Sequence, residues 1–382
     1  MRFNQIIYFI ILFILLFPTT SYYYYAFSLI FIIGAKFFLS IQKVNINYIQ
    51  ILLIIIIIFF APKLIVYNSL NDFKELFKIT LAITILSLKF NNLTRFSLSR
   101  ILFFILIING IFVALQWLSP NSYLLEVTSQ YLHPEHHIQN SLMLNSPRTL
   151  GIFSDNGEHG IIIFIIYLYF LSKLSKNKKR IIVCGLILSI TFIILGQSKT
   201  TAIVFLSTIP ILIHLIFKKN KLLLFTLIPV LIYYVTPFVI NIEQYARLIN
   251  TGSDISSLGA REEIWRKVFE AYYNAPPLFQ FIGPGREYIE INGINSSVFD
   301  NDYVYIMITY GIIGVLFFGL TYILSLKKVF KSNSSLSLWT KYIFVFVPLI
   351  SLGLDCLSSL KCITFLSFIF CIHFSNKHIV IK

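Results

Sequence analysis

The chain alternates between long apolar runs and short polar breaks. Ile6–Pro18, Ile51–Ala61, Ile101–Leu118 and Tyr303–Leu326 hold almost no charge. A helix needs about 20 largely apolar residues to cross the hydrocarbon core of a bilayer. The pattern predicts about twelve such segments, at roughly 5–20, 22–40, 48–67, 74–90, 100–118, 158–175, 181–197, 200–217, 222–241, 302–326, 340–357 and 360–375. The first run follows Arg2, as in a signal peptide. No A-x-A-like cleavage site comes after it, so it reads as a span. The expected fold is therefore an all-α, polytopic integral membrane protein, with residues 1–382 forming a single transmembrane domain.

Most breaks between the runs are short, and two are long. One spans about 119–158, the other about 241–301. Within the second, Ile264, Trp265, Val268, Phe269 and Tyr272 recur at helical spacing, with Glu262, Glu263, Arg266, Lys267 and Glu270 between them. This predicts an amphipathic helix over 261–273, lying along the membrane interface. Asn274-Ala-Pro-Pro ends it, because proline cannot continue a helix, and Gly283-Pro-Gly285 makes a tight turn.

Composition supports this reading. The chain is 57% hydrophobic and 12% charged, with a mean hydropathy of +0.81. A soluble domain carries roughly 25% charged residues. The net charge of +15 suggests nucleic acid until its distribution is followed. Counted along alternate connections, about twenty of the 31 basic residues fall on one side, including Lys173, Lys176, Lys178, Lys179, Arg180 and Lys218. By the positive-inside rule that side is cytoplasmic. Both termini are then cytoplasmic and both long loops external, and no nucleic-acid partner is expected. Cys184 and Cys371 fall inside runs. Cys356 and Cys362 flank the last outer turn, and the spacing leaves their pairing open.

Basic residues on the outer side run against this bias and need a reason. Lys199 sits in the short turn Gly196-Gln-Ser-Lys-Thr-Thr201, Arg148 just before a span, and Arg261 at the start of the amphipathic helix. Arg247, Arg266, Lys267 and Arg286 share that side. Three cations near the surface suit a phosphate-bearing lipid headgroup, since the arginine fork binds phosphate oxygens in pairs. Pairing with Asp155, Glu158, Glu262 or Glu263, or contact with anionic lipid, is the plainer reading. His133, His136, His137 and His159 have metal-ligand chemistry, but histidines in one polar loop are more often solvated, and no metal is expected. Asp300-Asn-Asp302 precedes the tenth span, where it would serve as a helix cap or as a general base.

These residues resemble the O-antigen polymerase and O-antigen ligase superfamily of bacterial envelope glycan enzymes. Arg148-Thr-Leu-Gly-Ile-Phe-Ser-Asp-Asn156 is similar to the family's R-x-x-G-x-F-x-x-P-N, with Asp155 in place of proline. Gln197-Ser-Lys-Thr-Thr201 is similar to S-x-[RK]-[TG]. Gly259-Ala-Arg-Glu-Glu-Ile-Trp265 with Phe281-Ile-Gly-Pro-Gly285 resembles S-G-R-x-x-I-W and its glycine turn. Asp300-Asn-Asp-Tyr303 with Tyr310-Gly-Ile-Ile-Gly314 is similar to [HD]-N-x-[YF]-L and E-x-G-[IL]-[IL]-G. The likeness covers roughly 145–320.

The resemblance implies a metal-independent, cofactor-free glycosyltransferase with a GT-C-like fold in the bacterial inner membrane. Its donor and acceptor would be oligosaccharides on undecaprenyl pyrophosphate. Lys199 and Arg261 look like the pyrophosphate binders and Arg148 a third contact. Arg266, Arg286, Asn156, Asp302 and Tyr303 are further substrate contacts. Asp300 stands where ligases keep a catalytic histidine, which favours a polymerase of O-antigen or capsule repeat units over a ligase. The base is left among Asp300, Asp302, Glu158 and His159. A chain-length regulator and a flippase are expected partners. A flippase or other transporter is the competing class, and it would carry charges deep in its spans. The spans here read as nearly free of charge.

The topology has its own test. Single cysteines at Ser141 and Ser256 are expected to react with a membrane-impermeant thiol reagent on outer-membrane-permeabilised cells, and one at Ser175 is not. Labelling at Ser175 alone would invert the orientation.

Overall fold

The computed structural model describes residues 48–67, 70–86, 95–118, 151–153, 156–174, 179–196, 198–216, 257–294, 301–331, 337–354 and 356–375. The spans expected at 5–20, 22–40 and 222–241, most of the first long loop, Arg148 and Asp300 lie outside them. Twelve helices and no strand occur among the described residues. They are α1 (Tyr48–Tyr67), α2 (Leu70–Leu86), α3 (Arg95–Leu118), α4 (Asn156–Leu174), α5 (Arg180–Gly196), α6 (Lys199–Ile216), α7 (Ser257–Asn274), α8 (Pro277–Ile282), α9 (Gly285–Ile291), α10 (Asp302–Phe330), α11 (Ser337–Ile350) and α12 (Leu360–Ser375). Nine of the expected spans fall on such helices. Stretches Leu98–Leu115, Gly157–Leu174 and Asp302–Phe330 are long and apolar enough to cross a membrane, and α1, α5, α6, α11 and α12 hold shorter apolar stretches.

Why these sequences are helical is clearest in α1. Ile54 to Ile58 is a run of β-branched residues that in water would suit a strand. In an apolar surrounding every N–H needs an acceptor within its own segment, which only a helix supplies. Hydroxyls inside the helices obey the same rule. Thr80, Thr84, Ser189, Thr321 and Thr364 each donate to a carbonyl one turn back.

The helices form two compact units. One contains α3–α6 and is built around α4, which is apolar on all sides and buried over 94% of Gly157–Leu174. Helix α5 packs on it with a stripe of Ile182, Gly185, Leu186, Ser189, Phe192 and Ile193, and leaves Ile187 and Ile194 exposed on its other face. Polar contacts tie α4 to its neighbours; among them, Ser99 Oγ and Tyr169 OH stand 2.6 Å apart, and Tyr167 OH and Thr208 Oγ1 2.9 Å apart.

The other unit contains α1, α2 and α7–α12. Leu53, Ile56 and Phe60 of α1, Ile79 of α2, Val268 and Tyr272 of α7, Ile289 of α9, and Val304 to Ile308 of α10 share its core. The amphipathic helix forms as expected, a few residues longer than 261–273. Its charged face carries the pairs Lys267–Glu263 at 2.8 Å and Arg266–Glu270 at 3.3 Å. Gln280 closes its end by donating to the carbonyls of Tyr273 and Ala275.

Helix α10 is not the unbroken span the hydropathy suggests. Gly311 breaks it with φ 64° and ψ −162°. The break lies against the turn between α8 and α9, so closely that a Cβ on Gly311 would stand 2.2 Å from Gly283 N and 2.4 Å from the Phe281 carbonyl oxygen. Only glycine tolerates both the dihedral and the approach. Gly311→Ala is therefore expected to cost about 1–3 kcal/mol for the backbone conformation alone, with the overlap added. It should lower the thermal unfolding midpoint of the detergent-purified protein; an unchanged midpoint would contradict the packing.

Candidate functional site

In the α3–α6 unit the start of α4 meets residues on either side of Lys199. Gly151, Ile152 and Phe153 are buried just before α4. Asn109 of α3 accepts the Ile152 N–H through Oδ1 at 3.2 Å, and its Nδ2 lies 3.3 Å from His159 Nε2. His159 is wholly buried, with the Phe153 ring 5.5 Å away. Gly160 faces the second motif, since a Cβ there would stand 2.5 Å from Thr201 Oγ1 and 3.1 Å from Ser198 Cβ. Ser198 Oγ donates to Thr201 Oγ1 at 3.0 Å. Asn156 opens α4 and Lys199 opens α6. The second motif thus borders the start of α4, and the first motif is linked to the same helix through Asn109.

The third and fourth motifs meet in the other unit. Arg261 lies in the first half of α7, and Arg266 is exposed beside Glu270. Arg286 follows the Gly283-Pro-Gly285 turn and places its guanidinium 5.1 Å from the Tyr305 ring centroid. Asn301 caps α10, accepting from the N–H groups of Tyr303 at 2.9 Å and Val304 at 3.2 Å, and donates to the Leu352 carbonyl at 3.2 Å. Asp302 is buried, and its two carboxylate oxygens accept from the N–H groups of Cys356 at 3.0 Å and Leu357 at 2.7 Å. Its own N–H donates to the Ser351 carbonyl. The expected cap is therefore Asn301, while Asp302 anchors the turn between α11 and α12. Tyr303 is half exposed, with its hydroxyl donating to the Pro348 carbonyl. Cys356 and Cys362 are both buried thiols.

The expectation that the spans are nearly free of charge meets an exception on α2. Glu75 and Lys78, 3% and 1% exposed, form a 2.7 Å ion pair. Lys78 Nζ also donates to Tyr305 OH at 3.0 Å and to the Ser358 carbonyl at 2.9 Å. Tyr305 and Tyr310 donate their hydroxyls to Glu75. Sequence reading missed this cluster because α2 registers as one more apolar run. The signal present was opposite charge at i and i+3 inside such a run. Among the described residues no three His, Cys, Asp or Glu side chains converge as metal ligands.

Three helices among the described residues are long and apolar enough to cross a membrane, which suggests a membrane protein. Residues 184–319 match the family model of the O-antigen ligase domain, which supports a likeness of this stretch to the O-antigen polymerase and ligase superfamily. The match holds the second, third and fourth motifs, including Lys199, Arg261, Arg266, Arg286, Asp302 and Tyr303, while Arg148 and Asn156 precede it. No curated protein matches the chain.

The buried pair yields a stability prediction. Glu75→Ala leaves the Lys78 ammonium without its counter-charge in an apolar interior, a change that typically costs about 3–5 kcal/mol. Replacing both partners, as Glu75→Gln with Lys78→Met, should cost less. Folded yield and thermal midpoint in detergent report both. A single variant as stable as the wild type would show that the pair is not embedded as described.

Proposed function

We propose that the protein is a polymerase that joins undecaprenyl-pyrophosphate-linked oligosaccharide repeat units of O-antigen or capsular polysaccharide, at the outer face of the bacterial cytoplasmic membrane. The observation that carries the reading is the family match over 184–319, a range that includes Lys199 and Arg261; in this reading these two are the pyrophosphate-binding cations. In the reaction an acceptor hydroxyl attacks the donor's anomeric carbon, the bond from that carbon to the pyrophosphate oxygen breaks, and the hydroxyl proton passes to a base. Charge accumulates on the departing pyrophosphate. Fixed cations at a water-poor surface stabilise such charge as it develops. Neither a metal nor a cofactor is needed for this in the reading proposed.

Arg148, Arg266, Arg286, Asn156, Asp302 and Tyr303 are the further substrate contacts of this proposal, and Asp300 remains its candidate base. Aspartate instead of the ligase histidine at 300 favours polymerase over ligase. A GT-C-like arrangement, cytoplasmic termini, and a flippase and chain-length regulator as partners complete the reading. The Glu75–Lys78 pair is the kind of buried charge a transporter would use. Its protons are all engaged within the protein, with Lys78 bonded to Glu75, Tyr305 and Ser358, which supports a structural role instead.

A single electrostatic contact at a developing charge is worth about 3–4 kcal/mol, or roughly 10²–10³ in rate. Arg261→Ala is therefore expected to abolish nearly all polymer at unchanged protein level. Arg261→Lys should leave little, because the paired contact is lost. Lys199→Ala should resemble Arg261→Ala, and Lys199→Arg should retain activity. Purified protein with lipid-linked repeat unit and a chelator should still form polymer. A deletion strain should show single repeat units on its surface glycolipid; long polymer stalled on the lipid carrier would instead identify a ligase. Full activity in Arg261→Ala would falsify the pyrophosphate reading.

A further inference from the structure

Asn109 lies in the middle of an apolar helix and is wholly buried. The Ile152 N–H can only donate, so the amide oxygen that receives it is fixed in place and the Asn109 NH₂ must face His159. Nε2 of His159 is then the acceptor, and the imidazole proton sits on Nδ1. That atom is buried and has no hydrogen-bond partner among the described residues. It faces Gly196, where a Cβ would stand 2.6 Å from it. One residue on, Gly160 backs onto Ser198 and Thr201. His159 and Gly160 thus touch Gly196, Ser198 and Thr201, the residues that bracket Lys199.

A buried N–H without an acceptor carries its full desolvation cost. An apolar side chain of similar shape would spare that cost, so the imidazole is not explained by stability. We propose that Asn109 and His159 are positioning residues for Lys199. Asn109 orients the ring, and the ring sets the turn from Gly196 to Thr201. That turn determines where Lys199 is presented to a phosphate group of the substrate. This rests on the reading of Lys199 as a phosphate contact.

The test uses full-length protein in nanodiscs and, as probe, the lipid-linked repeat unit that accumulates in a deletion strain. Displacement of a contact by about 1 Å typically costs 10²-fold. His159→Leu and Asn109→Ala are each expected to lower kcat/KM by about 10–100-fold, with thermal midpoints within a few degrees of wild type. His159→Gln, which still offers an acceptor to Asn109, should recover most of the loss. Added to Lys199→Ala, Asn109→Ala should cost less than about threefold further, because residues acting through one another are not additive. Full activity of His159→Leu beside an inactive Lys199→Ala would overturn the positioning role alone. So would losses that multiply in the double variant, or that follow the thermal midpoint, since both mark a merely structural pair. Full activity of Lys199→Ala would remove the phosphate contact, and this proposal with it.

Discussion

Lys78 stands inside an apolar interior with its ammonium directed at three oxygens, from the Glu75 carboxylate, the Tyr305 hydroxyl and the Ser358 carbonyl. These belong to α2, to α10 and to the segment before α12. Tyr305 passes the connection on, donating to Glu75 and lying under the Arg286 guanidinium at the start of α9. Charge without solvent must be answered on every side, so the elements around Lys78 hold one arrangement. Apolar contacts among Phe60, Ile79, Val304 and Ile308 fill the space, but they would tolerate a sliding helix. The ion pair and its phenols would not, because a shift of one residue leaves a buried charge bare.

Glycines bring α4 to the second motif and the third motif to the fourth. Gly160 lets α4 lie against Ser198 and Thr201, and Gly311 lets α10 lie against Gly283. At Gly311 a side chain is missing where the backbone of the fourth motif reaches that of the third, and at Gly160 where α4 meets the side chains of the second motif. The polar residues of the motifs then stand at helix starts: Asn156 on α4, Lys199 on α6, Asn301 ahead of α10. A helix start has N–H groups without intrahelical acceptors, and at α10 the Asn301 side-chain oxygen answers two of them.

Much of the helical framework was legible because apolar run length is a direct measure of a membrane-crossing segment. Helix α12 coincides with the expected 360–375, and α7 was legible from the spacing of Trp265, Val268 and Tyr272. Local chemistry was legible too. Asn301 caps, and Pro276 and Pro277 separate α7 from α8. Features that depend on a distant partner were not. Gly311 looks like any glycine in a span until Gly283 is placed beside it. Asn109 reads as a lone polar residue until Ile152 and His159 supply its partners. Glu75 and Lys78 stand three residues apart in a run that reads as apolar, and their answering phenols lie more than 220 residues away.

The bonds that hold the start of α10 have a further property. Asn301 and Asp302 bond to main-chain atoms of Ser351, Leu352, Cys356 and Leu357. A main-chain N–H or carbonyl is the same whatever side chain it carries, so the anchorage is blind to the identity of those residues. The turn between the last two helices can therefore change its side chains in the course of evolution while its backbone stays moored. Its surface chemistry can diverge without loosening the helix beneath.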